Sequence, residues 1–197
     1  VLRPDTASKR SVQLSYLLGV KKLSLYGSSV EYSLHCLLYL ADATEDSPPS
    51  SRDLAEFQGI SPSFVAKLFT RLEKAGLVAS EEGIGGGFRL GRATDSISVL
   101  DVTDALEENK ALFDCKEIRG KCILYRDKRP ARHSQSVCSI HAVMLEAEQR
   151  MRESLAETSL ADLAGEVRNK LPAKFNTDRV QWFQDRQAGR RKRKTRQ

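Results

Sequence analysis

Ser50 to Leu90, SSRDLAEFQGISPSFVAKLFTRLEKAGLVASEEGIGGGFRL, is the stretch that decides the fold. Arg52 to Gln58 reads as a short helix, capped by Ser50 or Ser51 and turned at Gly59. Ser61-Pro62 then supplies a capping hydroxyl followed by a proline at the first helical position, so a second helix begins there. Two helices joined this tightly form a helix-turn-helix pattern. In the second helix Phe64, Leu68 and Leu72 recur at four-residue spacing and face a core, flanked by Val65 and Phe69, while Lys67, Thr70, Arg71 and Lys74 point elsewhere. Gly76 stops the helix, and Leu77-Val78-Ala79 reads as a short strand. Four glycines in five positions, Gly83, Gly85, Gly86 and Gly87, turn the chain onto Phe88-Arg89-Leu90. That hairpin is a wing.

The predicted fold class is mainly α with a small β wing, a winged helix-turn-helix domain plus a long dimerisation helix. Such a domain presents its second helix to the major groove of duplex DNA, which assigns Ser61, Ser63, Phe64, Lys67 and Arg71 to DNA contact. Gly85, Gly86, Gly87 and Arg89 of the wing are assigned to the adjacent minor groove or phosphates. A phosphate-cradling enzyme loop is the other reading of GIGGGF, but it lacks a following helix, a lysine and a serine or threonine. No serine, histidine and acid constellation is visible either, so the chain is expected not to be an enzyme.

At 197 residues and 40% hydrophobic content, the chain suits one compact domain with an extension. No apolar run approaches the roughly 18 residues of a membrane span, and Leu14 to Val20 is too interrupted to serve as a signal peptide. A soluble, cytoplasmic protein is expected. Of the 32 basic side chains, six fall in residues 190 to 197 with no acid among them, leaving 26 basic against 26 acidic groups elsewhere. The excess charge is therefore the tail, which, if disordered, adds salt-sensitive phosphate attraction without sequence information or else is simply a solvated chain end.

Residues 1–22 show no clear period and read as a leader, disordered or the product of a mis-assigned start. The winged-helix domain spans 23–110, a cluster-binding loop 111–136, the dimerisation helix and a following short helix 137–171, and an extension with the basic tail 172–197. Val30 to Ala41 is the first firm helix, broken by Asp42 to Ser47 with Pro48-Pro49. On it Glu31 and His35 emerge from one face a turn apart, an ordinary surface contact unless a second half-site faces them. After the wing, Ile97-Ser98-Val99 reads as a short strand running into a helix to Glu108.

Four cysteines, Cys36, Cys115, Cys122 and Cys138, point in a reducing compartment to metal or redox ligation more than to disulfides. Cys36 stands alone in an apolar helix and reads as a core residue. The polar segment from Phe113 to Gln135 looks irregular, as a segment ordered by a bound metal would. In the long helix from Val137, residues Val137, Ile140, Met144, Ala147 and Met151 form a coiled-coil seam. Its partner is another element of the same chain or its copy in a second subunit, and the copy would give a two-fold homodimer matched to a palindromic operator, with recognition helices about 34 Å apart or a multiple of that.

Gly59-Ile60-Ser61-Pro62-Ser63-Phe64, Lys74-Ala75-Gly76-Leu77-Val78, Gly85-Gly86-Gly87-Phe88-Arg89-Leu90 and Ser159-Leu160-Ala161-Asp162-Leu163 together resemble the winged-helix iron-sulfur transcriptional regulators typified by IscR, NsrR and RsrR. The likeness runs from about Lys22 to Val167 and is closest to RsrR, the redox-sensing member, through Val30-Glu31-Tyr32-Ser33-Leu34-His35-Cys36. It implies a repressor that senses redox state, nitric oxide or iron-sulfur status through a 2Fe-2S cluster at the dimer interface. Carried over residue by residue, Cys115 and Cys138 of one subunit and Glu31 and His35 of the other would be the ligands, with Cys122 a bystander or a third thiolate. Mixed thiolate, carboxylate and imidazole ligation makes a cluster's redox state sensitive to protonation. A zinc site built from the same groups is the alternative. The chain departs from the family pattern at Glu81-Glu82, where a basic residue can precede the wing turn, and at Ala66, where some relatives have a base-reading glutamate; Arg89 or Arg92 could replace the former.

Overall fold

A computed structural model describes residues 24–43, 48–81, 86–108, 110–121, 123 and 136–194. Helix α1 (Ser28–Ala41) turns Val30, Ser33, Cys36, Leu37, Leu38 and Leu40 inward. Helix α2 (Ser51–Gln58) begins at a capping box in which Ser50 and Asp53 each bind the other's backbone N–H. It ends on Gly59, whose φ of 67° is the left-handed conformation that glycine adopts without steric cost. Helix α3 (Pro62–Lys74) starts at the anticipated proline and buries Val65, Leu68, Phe69 and Leu72. Phe64, expected in that core row, is only half-buried, because it lies at the edge of the apolar stripe.

Strands β1 (Val78–Ser80) and β2 (Phe88–Leu90) pair antiparallel, with Val78 opposite Leu90 and Ser80 opposite Phe88. They form the one two-stranded sheet among the described residues. Helices α4 (Val99–Glu107), α5 (Ser139–Ala156), α6 (Leu160–Lys170) and α7 (Ala173–Lys194) complete a mostly helical chain. The fold is the mainly helical one with a small β wing. Leu37, Leu54, Val65, Phe69, Leu72 and Leu77 are fully enclosed where α1, α2, α3 and the wing root meet. Each such side chain contributes about 1.5–3 kcal/mol relative to exposure, so this junction is what holds the helix pair and hairpin in register.

One expectation changes. Ile97-Ser98-Val99 is not a strand: the Ser98 hydroxyl caps α4 with Asp101, so the chain turns helical at once. One isolated bridge to Ser159 remains, made by Val99 N–H to Thr158 O at 2.9 Å and Leu160 N–H to Ile97 O at 2.7 Å. The extension, in turn, is helical as far as Lys194. Helix α7 folds back onto α1 and α2, with the Phe183 ring 5.1 Å from Phe57 and 6.0 Å from Tyr39. Arg179 binds Asp42 at 2.7 Å, and Arg186 and Arg190 pair with Glu56 and Asp53.

The leader, Gly83, Gly85, Cys122 and most of the polar loop lie outside the described residues. Among described residues no helix is long and apolar enough to cross a membrane.

Candidate nucleic-acid interface and cysteine corner

The left-handed Gly59 sets α3 directly after α2, and the first turn of α3 is presented outward. Ser61, Ser63 and Lys67 are exposed, and the Ser61 and Ser63 hydroxyls share a 2.9 Å hydrogen bond. Ser61 makes no side-chain cap to its own helix, so its oxygen is not committed to the backbone. Phe64 packs edge to face on Tyr32 of α1, with centroids 5.9 Å apart. Arg71 reaches Glu108 at 3.2 Å. The expected DNA residues of α3 thus divide into exposed groups at its start, a linking ring and an ion-paired arginine.

The wing is fastened to the same helix. Phe88 of β2 meets Phe69 of α3 at 4.6 Å, and the Glu73 carboxylate accepts the Ser80 N–H at 3.0 Å. The Ser80 hydroxyl first, and then this N–H bond, hold the Glu73 carboxyl below its ordinary value. Gly87 is buried, and a Cβ there would stand 2.3 Å from the Pro48 carbonyl oxygen and 2.6 Å from that of Pro49. Its lack of a side chain is explained by this close approach rather than by reach toward a ligand. Gly86 is half-buried beside it. Arg89 pairs with Glu81 across the hairpin, and Arg92 lies 3.8 Å from Asp101.

A second corner gathers the cysteines. Cys138 stands at the N-cap of α5 without a side-chain cap bond, and it and Cys115 are half-buried free thiols. Arg119 lies within electrostatic reach of both sulfurs. It also ties the two segments together: it donates to the Glu117 carboxylate at 2.6 and 2.7 Å and to the Ser136 carbonyl at 2.9 Å. The guanidinium holds the Glu117 carboxyl below the usual range. Phe113 and His141 face each other at 6.1 Å across the same corner.

Glu31 and His35 are exposed on α1, and His35 lines a cavity of about 330 Å³ between α1, α6 and α7. Among the described residues of one chain, no three His, Cys, Asp or Glu side chains converge to hold a metal. Glu31 and His35 stand a turn apart on α1, and Cys115 and Cys138 share Arg119 as an electrostatic neighbour. Their chemistry, two thiols and one carboxylate with one imidazole, suits iron. Sequence reasoning missed Arg119 as the residue that ties the Glu117 and Ser136 segments together, and Arg92 as a partner of Asp101; neither has a periodic signal.

Comparison with known proteins gives one consistent result. The family model of Rrf2, described as an iron-dependent transcriptional regulator, matches residues 26–166. Protein rrf2 of Nitratidesulfovibrio vulgaris is 34% identical over 132 residues, covering 67% of this chain and 81% of its own. The HTH-type transcriptional regulator IscR of Erwinia tasmaniensis is 34% identical over 136 residues, covering 69% and 76%. Among solved structures, the global cysteine regulator CymR of B. subtilis is 26% identical with a TM-score of 0.55, covering 74% of this chain and 98% of its own. T. potens IscR shares the fold at a TM-score of 0.55 and 22% identity, covering 79% and 95%.

Proposed function

This chain belongs to the Rrf2 family of transcriptional regulators, whose relatives here are regulators rather than enzymes, and from that membership we propose that it is a DNA-binding repressor switched by a 2Fe-2S cluster. The cluster would lie at the interface of a homodimer, with the ligand set of RsrR: Cys115 and Cys138 from one subunit, Glu31 and His35 from the other. The single observation that carries this reading is the division of the donors. Cys115 and Cys138 both lie within electrostatic reach of Arg119, Glu31 and His35 stand a turn apart on α1, and no three metal-ligating side chains converge among the described residues. Each pair is half of a four-ligand site, and the exposed apolar face at the start of α5 supplies the dimer contact that would join them.

When bound, the cluster supplies a one-electron redox change whose potential follows the protonation of its imidazole ligand. This chain's own residues do the rest. Glu31 and His35 hold α1 to the shared site, Tyr32 links α1 to α3, and Ser61, Ser63 and Lys67 meet a palindromic operator in the major groove, with Arg71 and the tip of the wing beside them. A change in ligand geometry then alters the spacing of two recognition helices.

The test is a UV-visible spectrum of anaerobically purified protein, with iron, zinc and acid-labile sulfide assayed on the same sample. Broad visible absorption with about two irons and two sulfides per site is expected. A colourless protein loaded with zinc would replace the iron-sulfur reading by the zinc one.

A further inference from the structure

The family match ends at residue 166, and helix α7 lies wholly beyond it. Yet α7 is built into the helix-turn-helix. Positions 179, 183, 186, 187 and 190 share one helical face, and on it Arg179, Phe183 and Gln187 are 6%, 8% and 6% exposed. Phe183 and Trp182 enclose Phe57 of α2, each at 5.1 Å. Arg186 pairs with Glu56 and stacks over Trp182 at 5.0 Å, and Arg190 pairs with Asp53.

Two consequences follow for charge. Asp53 and Glu56 are the acids of α2, and both are neutralised from α7, which removes a repulsion that a phosphate chain would meet there. The remaining cations of the run, Arg191-Lys192-Arg193-Lys194, continue the same helix for about one more turn past Arg190.

The position of that turn is fixed by one carbonyl. Arg190 donates to the Pro48 oxygen at 3.2 Å, and this same oxygen is the one that Gly87 approaches at the root of the wing. The basic end of α7 therefore sits next to the wing, held by a folded anchor instead of hanging from a loose tail.

We infer that the C-terminal end of α7 is a second DNA-contacting surface, which grips the phosphate backbone flanking the wing. The inference rests on the assignment of the winged helix to duplex DNA. A basic run on a docked helix pays little ordering entropy on binding, so its contacts add to affinity at a defined position on the duplex. It adds no base readout, and so it strengthens every sequence alike.

The deciding experiment is fluorescence anisotropy with a mixed-sequence duplex of about three helical turns, measured across a salt series. The full chain is compared with a variant in which Arg191, Lys192, Arg193 and Lys194 are each replaced by glutamine. Loss of these four cations should lower affinity about tenfold or more at low salt, and reduce the salt slope by about 0.9 per phosphate contact removed. A full chain that binds while the variant matches it in affinity and slope overturns the inference alone. A full chain that binds no duplex brings down the DNA-binding assignment and this inference with it. Phe183→Asp keeps every cation but removes the anchor, so it should also bind more weakly than the full chain; parity there would mean an untethered polycation and would overturn the docked placement.

Discussion

The ring of Tyr32 in α1 meets the ring of Phe64 in the first turn of α3 edge to face, at 5.9 Å between centroids and 89° between planes. Tyr32 directly follows Glu31, and Phe64 directly follows Ser63, so one aromatic contact joins the proposed ligand face to the proposed DNA face. Such a pair contributes about 0.5–1.5 kcal/mol beyond its burial. A double-mutant cycle of Tyr32→Leu and Phe64→Leu, read by chemical denaturation, should recover a coupling of that size. If the pair transmits the cluster's state, Tyr32→Leu should still bind duplex DNA yet lose the difference between oxidised and reduced protein. Retention of the full difference in anisotropy titrations would remove this pair from the route.

Gly87 offers a sharper steric test. Its missing Cβ would stand 2.3 Å from the Pro48 oxygen, a backbone atom that has no rotamer to yield. Gly87→Ala should therefore displace the wing root and cost about 1–3 kcal/mol, as overpacking typically does. Gly165→Ala in α6, where a Cβ would meet nothing within 4 Å, should be neutral or mildly stabilising. Equal denaturation midpoints for the two variants would mean that the wing root accommodates a methyl group freely.

What could be read from the residues was set by how locally each element is specified. Ser50 with Asp53, the left-handed Gly59 and Gly76, and Pro62 at the head of α3 act within a few residues, and they bound the helix-turn-helix where it is found. Ser159 with Asp162 caps α6 in the same way. Ile97 to Val99 misled because its alternation is real, but the Ser98 cap overrides it one residue later. Helix α7 was hidden for a different reason. Its composition is polar, and what orders it is a row of residues, Arg179, Phe183, Arg186 and Arg190, whose partners lie more than a hundred residues earlier. The cysteine corner is similar: Arg119 ties the segment of Cys115 to that of Cys138 through its bond to the Ser136 carbonyl, a contact that no spacing encodes.

Burial separates Cys36 from the other described cysteines. It is fully enclosed, accepts a 3.1 Å hydrogen bond from Gln58, and is pushed up to about 12 chiefly by desolvation. Thiolate is the reactive form, so at pH 8 iodoacetamide should label Cys115 and Cys138 of the cluster-free protein and leave Cys36 untouched. The sign for stability follows. A folded-state value above the ordinary 9.0 contributes stability that is present below pH 9 and is lost as pH rises toward 12. Cys36→Ala should therefore flatten the alkaline limb of the stability profile. Labelling of Cys36 at the rate of the other two by mass spectrometry would contradict its burial.

Glu73 works in the opposite pH range. Its carboxyl is held below the ordinary 4.5 by hydrogen bonds from the Ser80 hydroxyl and then the Ser80 N–H, and the latter fastens the end of α3 to β1. Its contribution is present above that ordinary value and is lost as pH falls through the lower, folded one. Glu73→Gln should make stability less steep in pH below about 4.5, measured by denaturant titration at several acid pH values. An unchanged slope would mean that the bond does not persist in solution.

Helix α5 carries the prediction that joins assembly to chemistry. None of its residues is buried within one chain, and Val137, Ile140 and Val143 at and beside its start are 60%, 66% and 65% exposed. Its later half is tied to α4 by Arg152, which binds Asp104 through two bonds at 2.9 and 2.7 Å. The open apolar end is the part a second copy would cover. Ile140→Asp removes little packing from the single chain, but it would bury an unpaired carboxylate in a dimer, which costs several kcal/mol. Light scattering should therefore show a monomer with an unchanged helical spectrum. Because the proposed ligands come from two subunits, that monomer should also fail to retain iron although Cys115, Cys138, Glu31 and His35 are all intact. A monomeric Ile140→Asp protein that keeps about two irons per chain would place the whole ligand set within one subunit and refute the shared site.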